Sequence, residues 1–206
     1  MIKLITTASD ISKTQTLQES LNKNSWDYEI LIHNWEGFGG KILETYRYLK
    51  NNQDIKYFFY TDSYDTIVTS TMNEALTRIK NNDKILLSAE RACYPHPEKA
   101  ERYPYNESPW HFVNGGGWFC NSDLFCKSVE ANGLQVHDVD QVWFTDLFLN
   151  NPSYVELDYN CDLFQTIAFC PESDFDIKEG RIRNTVTNTY PIFIHGNGHT
   201  PLDRFL

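Results

Sequence analysis

The chain has 206 residues, a formal net charge of −10 and a 15% share of aromatic residues. Its length predicts one domain over residues 1–206, large enough to bury a core without disulfides or structural metals. The acidic excess disfavours a surface that coats DNA, because phosphate contacts need lysine and arginine, although a local basic groove stays open. An anionic nucleotide diphosphate would therefore depend on a metal ion or on a local cluster of donors.

The chain carries five cysteines, at positions 93, 120, 126, 161 and 170, and none of them forms a CxxC pair. An odd number without such pairs favours reduced thiols over a disulfide framework or a zinc site. No apolar stretch approaches a membrane span, and the opening MIKLITTASD lacks the apolar centre of a signal peptide. These features predict a cytoplasmic protein without a membrane partner.

Apolar runs and helical spacings alternate along the chain. Strands are predicted around residues 4–5, 28–32, 57–60, 84–88 and 191–194. Helices are predicted around Leu17 and Leu21, over residues 41–51, after Thr71, and from Asp138 to about Leu149. The pairs Thr71 with Glu74 and Asp138 with Gln141 have the spacing of capping boxes that open the last two helices.

This alternation predicts an α/β fold with a mostly parallel central sheet flanked by helices. In such sheets ligands bind beyond the carboxyl ends of the strands, and the conspicuous polar residues follow strands here, at positions 6–7, 62–65 and 195. Residues 91–117 hold four prolines and are predicted to form a long irregular loop, of the kind that serves as a lid or binding loop.

Two aspartates three positions apart, Asp62 and Asp65, follow the buried strand at 57–60. Carboxylates released together from a strand end can converge on one hard cation. A polar turn with an Asx cap is the alternative. Tyr64 lies between the two aspartates, where its ring could stack on a nucleotide base.

His195, Gly196, Asn197 and Gly198 follow directly on the last apolar strand. A lone histidine is more often a structural hydrogen-bonding partner than a ligand, but two neighbouring glycines let the backbone approach a phosphate closely. Two carboxylates and one imidazole form a donor set harder than a zinc site and softer than a magnesium site. With diphosphate oxygens completing an octahedron, this set favours Mn²⁺.

Three further segments each have two interpretations. Residues 114–118, with three glycines, form either a flexible turn or backbone that passes beneath a sugar. Asp138 and Asp140 either stabilise a helix dipole or take part in catalysis. The glycines before Lys41 either simply enter a helix or cradle an anion, and they match no Walker loop or Rossmann fingerprint.

Taken together, these segments resemble the glycosyltransferase domain of procollagen lysyl hydroxylases and the related collagen galactosyltransferases. The likeness runs in the same order along nearly the whole sequence, and its most specific parts are DSYD, HGNG and the DQ helix between them. The matching segments are LITTAS, GFGGKILETYRYLKN, YFFYTDSYDTIV, LLSAERACYP, FVNGGGWF, DVDQVWFTDLF, LDYNCDLFQ and RIRNTVTNTYPIFIHGNG.

The resemblance implies a compact glycosyltransferase-A type fold that binds UDP-glucose or UDP-galactose through Mn²⁺. It would make Asp62, Asp65 and His195 the metal ligands and Tyr64 the stacking partner of uracil. Asp140 and Asn114 would be catalytic residues, with Asp140 touching the sugar or the acceptor. The residues assigned to the nucleotide sugar are Thr6, Thr7, Lys41, Asp62, Tyr64, Gly196, Asn197 and Gly198.

The chain also departs from the family pattern. The family has a phosphate-pairing lysine shortly after HGNG, whereas residues 199–201 here are HTP, so Lys41 or Arg204 would have to replace it. The acidic run before the DQ helix is thinned to Asp138 and Asp140, and the family's Cys-Trp-Pro becomes Cys-Tyr-Pro at 93–95. These changes leave the hydroxyl acceptor open between a hydroxymethylated DNA base, a glycan and a hydroxylysine-type side chain.

Two functions outside this class also stay open: a sugar-nucleotide binding module without catalysis, and a metal-dependent hydrolase of nucleotide sugars. Retention of both aspartates and the histidine disfavours the first. The second differs because it would cleave the donor without any acceptor. The sequence shows no hydroxylase domains and no secretory signal, so a free-standing viral or bacterial enzyme is expected rather than a collagen-modifying one.

Overall fold

The architecture comes from a computed structural model, which describes residues 1–80 and 83–206. Its strands are β1 (Ile2–Ala8), β2 (Tyr28–Ile32), β3 (Tyr57–Thr61), β4 (Thr66–Val68), β5 (Ile85–Glu90), β6 (Phe112–Asn121), β7 (Val155–Leu157), β8 (Phe164–Thr166), β9 (Phe175–Lys178), β10 (Arg181–Asn184) and β11 (Phe193–His195). Its α-helices are α1 (Gln15–Lys23), α2 (Gly39–Asn51), α3 (Met72–Arg78), α4 (Ser122–Asn132) and α5 (Asp140–Asn150).

One large sheet organises the chain, in the order β2-β1-β3-β6-β5-β8-β11-β4, with β7 also paired to β5. Strands β1, β2, β3, β5, β7, β8 and β11 all run in the same direction, while β6 and β4 run against their neighbours. The sheet is therefore mostly parallel, which confirms the predicted fold class. The carboxyl ends of β1, β3, β5, β8 and β11 consequently share one edge, which is also where β6 begins.

The two faces of the sheet carry separate apolar clusters, because successive strand residues point to opposite sides. In β3, Phe58 and Tyr60 pack with residues of α2, α4 and α5, whereas Phe59 packs with Leu17 and Leu21 of α1 on the other face. Helices thus cover both faces, as predicted. The strongly apolar pattern of β3 follows from its burial on both sides.

Two sequence predictions about local structure are wrong. Residues 112–121 form the ten-residue strand β6 in the centre of the sheet, so only the first part of the predicted loop is irregular. The second capping box does not form: Val139 is the N-cap of α5 without a side-chain bond, and the Asp138 carboxylate instead accepts from the Gln135 amide at 2.7 Å. At α3 the Thr71 hydroxyl does accept from the Glu74 amide, at 3.3 Å.

Candidate active site

Two carboxylates and one imidazole meet at the carboxyl edge of the sheet. Asp62 directly follows β3, Asp65 directly precedes β4, and His195 ends β11, which pairs with β4 so that His195 lies opposite Thr66. The Nε2 atom of His195 lies 3.3 Å from Asp65 Oδ1 and 3.6 Å from Asp62 Oδ2. One ligand atom from each of the three residues lies within 4.8 Å of the others, so together they could hold one metal ion.

The Asp65 carboxylate and the His195 imidazole each favour the charged form of the other. Burial lowers the pKa of His195, but the charge and hydrogen bond of Asp65 outweigh burial and hold that pKa above its ordinary value. Burial likewise raises the pKa of Asp65, and the His195 imidazole outweighs it and keeps the pKa low. A cation between these side chains would take over the role that the imidazolium proton plays here. The buried Nδ1 of His195 has no hydrogen-bond partner among the described residues.

The three glycines of β6 make room for the side chains of the cluster. A Cβ on Gly116 would overlap the His195 ring and would come within 2.8 Å of Asp62 Oδ2. A Cβ on Gly115 would lie 2.8 Å from Asp140 Oδ2, and one on Gly117 would lie 2.8 Å from the Phe164 ring. The flexible-turn interpretation is wrong, because the segment belongs to the central strand β6, where the missing Cβ atoms let candidate ligands pack against the backbone. That this backbone passes beneath a sugar stays a prediction.

Lys41 and Asp140 join the cluster from the helical side. Lys41, in the first turn of α2, places its Nζ 2.8 Å from Asp62 Oδ1 and 2.5 Å from Asp140 Oδ2. Burial raises the pKa of Asp140, and the Lys41 charge only partly offsets this. Asp140 is the first residue of α5, so a single ammonium group connects that helix to the strand end that carries Asp62.

Glu90, at the carboxyl end of β5, is a site residue that the sequence analysis missed. Its Oε1 accepts from Gln141 Nε2 at 2.5 Å and its Oε2 accepts from Asn197 Nδ2 at 2.6 Å. Burial raises the pKa of Glu90 to about 7, although these amide donors and the Asn114 side chain favour the ionised form. The signal that could have identified it is an acidic residue at the end of an apolar strand in a parallel sheet.

Tyr64 and the β1 threonines lie on the side of the site next to β1. The Tyr64 hydroxyl accepts from the backbone amides of Ser9 and Asp10 at 2.8 and 2.9 Å, while 43% of the residue stays exposed. The Thr7 hydroxyl shares a 2.8 Å hydrogen bond with the Tyr60 hydroxyl. Thr6 is fully buried and donates to the Thr61 carbonyl, so its side chain lies beneath the surface of the site.

The turn after His195 is fixed by hydrogen bonds from both sides. The Gly196 amide donates to the Asp65 carbonyl at 2.7 Å, and Gly198 has a φ of +65°, which glycine adopts without strain. The Asn197 side chain accepts from the amides of Ile167 and Ala168 and donates to Glu90, so it braces the turn.

Asn114 and Arg204 occupy different surroundings. Asn114 is buried in β6, where its Oδ1 accepts from the Gly116 amide at 2.9 Å. The Arg204 guanidinium packs over the rings of Phe175 and Phe205, with centroid distances of 5.0 and 4.7 Å. The roles predicted for these two residues, and for the other nucleotide-contacting residues, stay predictions.

A single α/β domain with a mostly parallel central sheet of this kind has a glycosyltransferase-A type fold. A glycosyltransferase involved in the glycosylation of the major capsid of PBCV-1 has a similar structure, with a TM-score of 0.58, 11% identity, and coverage of 96% of this chain and 93% of that one. The chain belongs to the PLOD GT domain family, whose family model matches residues 9–203. This confirms the predicted family, and family and fold both support a glycosyltransferase.

Two individual relatives are similar to this chain over most of its length. An uncharacterized protein of Acanthamoeba polyphaga mimivirus is 34% identical over 165 residues, which are 79% of this chain and 36% of that protein. The human multifunctional procollagen lysine hydroxylase and glycosyltransferase LH3 is 32% identical over 151 residues, which are 69% of this chain and 20% of that protein. The chain thus spans about a fifth to a third of the length of these relatives. Among the described residues, no helix has the length and apolar character needed to cross a membrane.

Proposed function

We propose that residues 1–206 act as one glycosyltransferase domain that moves glucose or galactose from a UDP-sugar to a hydroxyl acceptor, with Mn²⁺ as its cofactor. The observation that carries this proposal is the convergence of Asp62, Asp65 and His195 at the carboxyl edge of a glycosyltransferase-A type sheet. The human relative's name includes both lysine hydroxylase and glycosyltransferase, and the matched family model is the glycosyltransferase part.

The three side chains suit a divalent metal of intermediate hardness. Two carboxylate oxygens and one imidazole nitrogen are a donor set that Mn²⁺ accepts well. Gly116 leaves space for the His195 ring, and the carboxylates keep the imidazole turned toward them. When bound, the metal would supply positive charge that stabilises the diphosphate of the departing UDP.

The remaining site residues would bind and orient the donor. The exposed face of Tyr64 is available for stacking on uracil, because the backbone amides of Ser9 and Asp10 already hold its hydroxyl. Thr7 borders the same side, and Thr6 supports it from below. The backbone at Gly196 and Gly198 would face the diphosphate, since neither residue has a side chain to hold it away.

Asp140 is the carboxylate that we assign to the acceptor. It begins α5, is buried, and lies against Gly115 on the strand that passes under the cluster. Its assigned role is to orient the sugar or to accept the proton of the attacking hydroxyl. Asn114, with its carbonyl oxygen held by Gly116, would support the same strand segment from the sugar side.

Calorimetry of UDP binding with Mn²⁺ and with EDTA tests the proposed site. Among the described residues, the cations that contact the cluster are Lys41 and His195, and both are already paired with carboxylates. Removal of the metal should therefore lower the affinity for UDP by about 100-fold or more. Asp65→Ala and His195→Ala should behave as wild type does in EDTA, whereas the matched control Asp176→Ala, which removes a surface ion pair with Arg183, should not. Tight UDP binding in EDTA would contradict the proposal.

Assays of sugar transfer then separate the enzyme from its alternatives. A hydroxylysine peptide, an oligosaccharide and hydroxymethylated DNA should be offered with each UDP-hexose. Transfer to one of them supports the proposal. Release of free sugar at the same rate with and without every acceptor indicates a hydrolase, and UDP-sugar binding without turnover indicates a binding module.

A further inference from the structure

Lys41 occupies a position that local preferences disfavour. It lies in the first turn of α2, where the positive end of the helix dipole repels a cation. Only 9% of its side chain is exposed, and lysine is rarely buried to this extent without a specific partner. Such a conflict between local preference and observed placement indicates a functional requirement.

Its contacts show what the requirement is. The ammonium group bridges Asp62 Oδ1 and Asp140 Oδ2 at 2.8 and 2.5 Å. Its nitrogen lies 5.8 and 6.0 Å from the ring centroids of Tyr60 and Trp118, which stack on each other at 3.7 Å.

The two oxygens of the Asp62 carboxylate have different partners. One oxygen, Oδ1, accepts from Lys41, and the other, Oδ2, faces His195. The oxygen that faces the metal cluster is therefore not the oxygen that Lys41 contacts. The same ammonium group keeps the first residue of α5 beside that cluster.

We infer that Lys41 is a positioning residue that fixes Asp140 against the metal-ligand carboxylate Asp62, rather than a group that binds the diphosphate. This rests on the proposed function of the site. Two of the three ammonium donors are already directed at carboxylates, and nine-tenths of the side chain is covered. Lys41 therefore fixes the position of the Asp140 carboxylate relative to the donor sugar.

The test compares Lys41→Met with the control Lys99→Met. Lys99 also forms an ion pair with helix α5, 2.6 Å from Asp146 Oδ1, but at a more exposed position further along the helix than Asp140. Lys41→Met should leave the Kd for UDP with Mn²⁺ within about 3-fold and lower kcat by about 100-fold, because a carboxylate displaced by about 1 Å no longer meets the reacting atoms. Lys99→Met should change neither. A Kd raised at least about 10-fold with kcat unchanged would overturn the inference and assign Lys41 to the diphosphate.

A second measurement needs no turnover. Lys41→Met removes the ammonium group between the buried Asp140 carboxylate and the partly exposed Asp62 carboxylate, so the equilibrium constant for unfolding should rise by about 100-fold or more. Adding Asp140→Asn removes one charge and should recover at least about 10-fold of that loss, whereas a role of Lys41 in packing alone would show no recovery. Absence of recovery would refute the bridge. If the wild-type chain transfers no sugar at all, the proposed function fails, and this cycle still decides whether Lys41 positions Asp140.

Discussion

Gly116→Ala is the smallest change that should disable the metal cluster. The added methyl group would overlap the His195 ring and would lie 2.8 Å from Asp62 Oδ2. Gly116 does not have a left-handed φ, so alanine fits its backbone and only the lack of space opposes it. The methyl group would lie 2.1 Å from His195 Cε1, so the imidazole must move away by about 1.5 Å, since carbon atoms pack at about 3.5–4 Å.

The size of the effect follows from this displacement. Disturbing the groups that orient a metal ligand typically costs about 10- to 100-fold in affinity, and overpacking a core costs about 1–3 kcal/mol of stability. Titration of Mn²⁺ by electron paramagnetic resonance gives the affinity, and urea unfolding gives the stability. We expect weaker Mn²⁺ binding by at least about 10-fold together with a modest loss of stability.

Gly40→Ala is the matched control. A Cβ there would meet the His33 ring at 3.5 Å, which is ordinary contact, and alanine in a helix is favoured over glycine by about 0.5–1 kcal/mol. This variant should bind Mn²⁺ as wild type does and should be no less stable. If Gly116→Ala also binds Mn²⁺ and UDP like wild type, His195 is not held against β6 as described, and its place among the metal ligands is refuted.

Three further outcomes are expected. Asp140→Asn should preserve UDP affinity and lower transfer by about 100-fold, whereas a residue serving only the helix dipole would cost at most about 1 kcal/mol of stability and leave kinetics unchanged. Burial raises the pKa of Glu90 from 4.5 to about 7, so its contribution to the free energy of unfolding is fully present below about pH 4.5 and is lost as the pH rises through 7. Thermal unfolding should show this loss of stability, on the order of 3 kcal/mol, in wild type and not in Glu90→Gln. Asp158→Asn should destabilise the chain by about 1–3 kcal/mol in urea, because the buried carboxylate accepts three backbone amides at 2.7–2.9 Å through both oxygens, whereas asparagine would turn its NH2 group toward at least one of those amides.

The elements with strong local patterns could be predicted from the sequence. Strand β3 is apolar at consecutive positions because both of its faces are buried, and the last strand before His195 has the same cause. Polar residues directly after such strands had to share one edge, because parallel strands end together. This is why the sequence predicts that Asp62, Asp65 and His195 lie together.

Strand β6 could not be predicted in the same way. Glycine has low strand propensity, so its three consecutive glycines indicated a break. The need for glycine arises from Asp140 and His195, which are distant in sequence and meet β6 only in the folded chain. Glu90 was missed for a related reason: the sequence offers one acidic residue at the end of a strand, while its partners Gln141 and Asn197 lie on two other segments and meet it only in the folded chain.

The balance of charge at the sheet edge explains how an acidic chain could bind a diphosphate. Asp62, Asp65 and Asp140 bring three carboxylates, while Lys41 and His195 are the cations that contact them among the described residues. If His195 gives up its proton to act as a ligand, the carboxylates exceed the cations by two, a deficit that one divalent ion neutralises. The diphosphate then meets a neutral cluster rather than a negative one. Without the divalent ion, the negative cluster should repel the diphosphate.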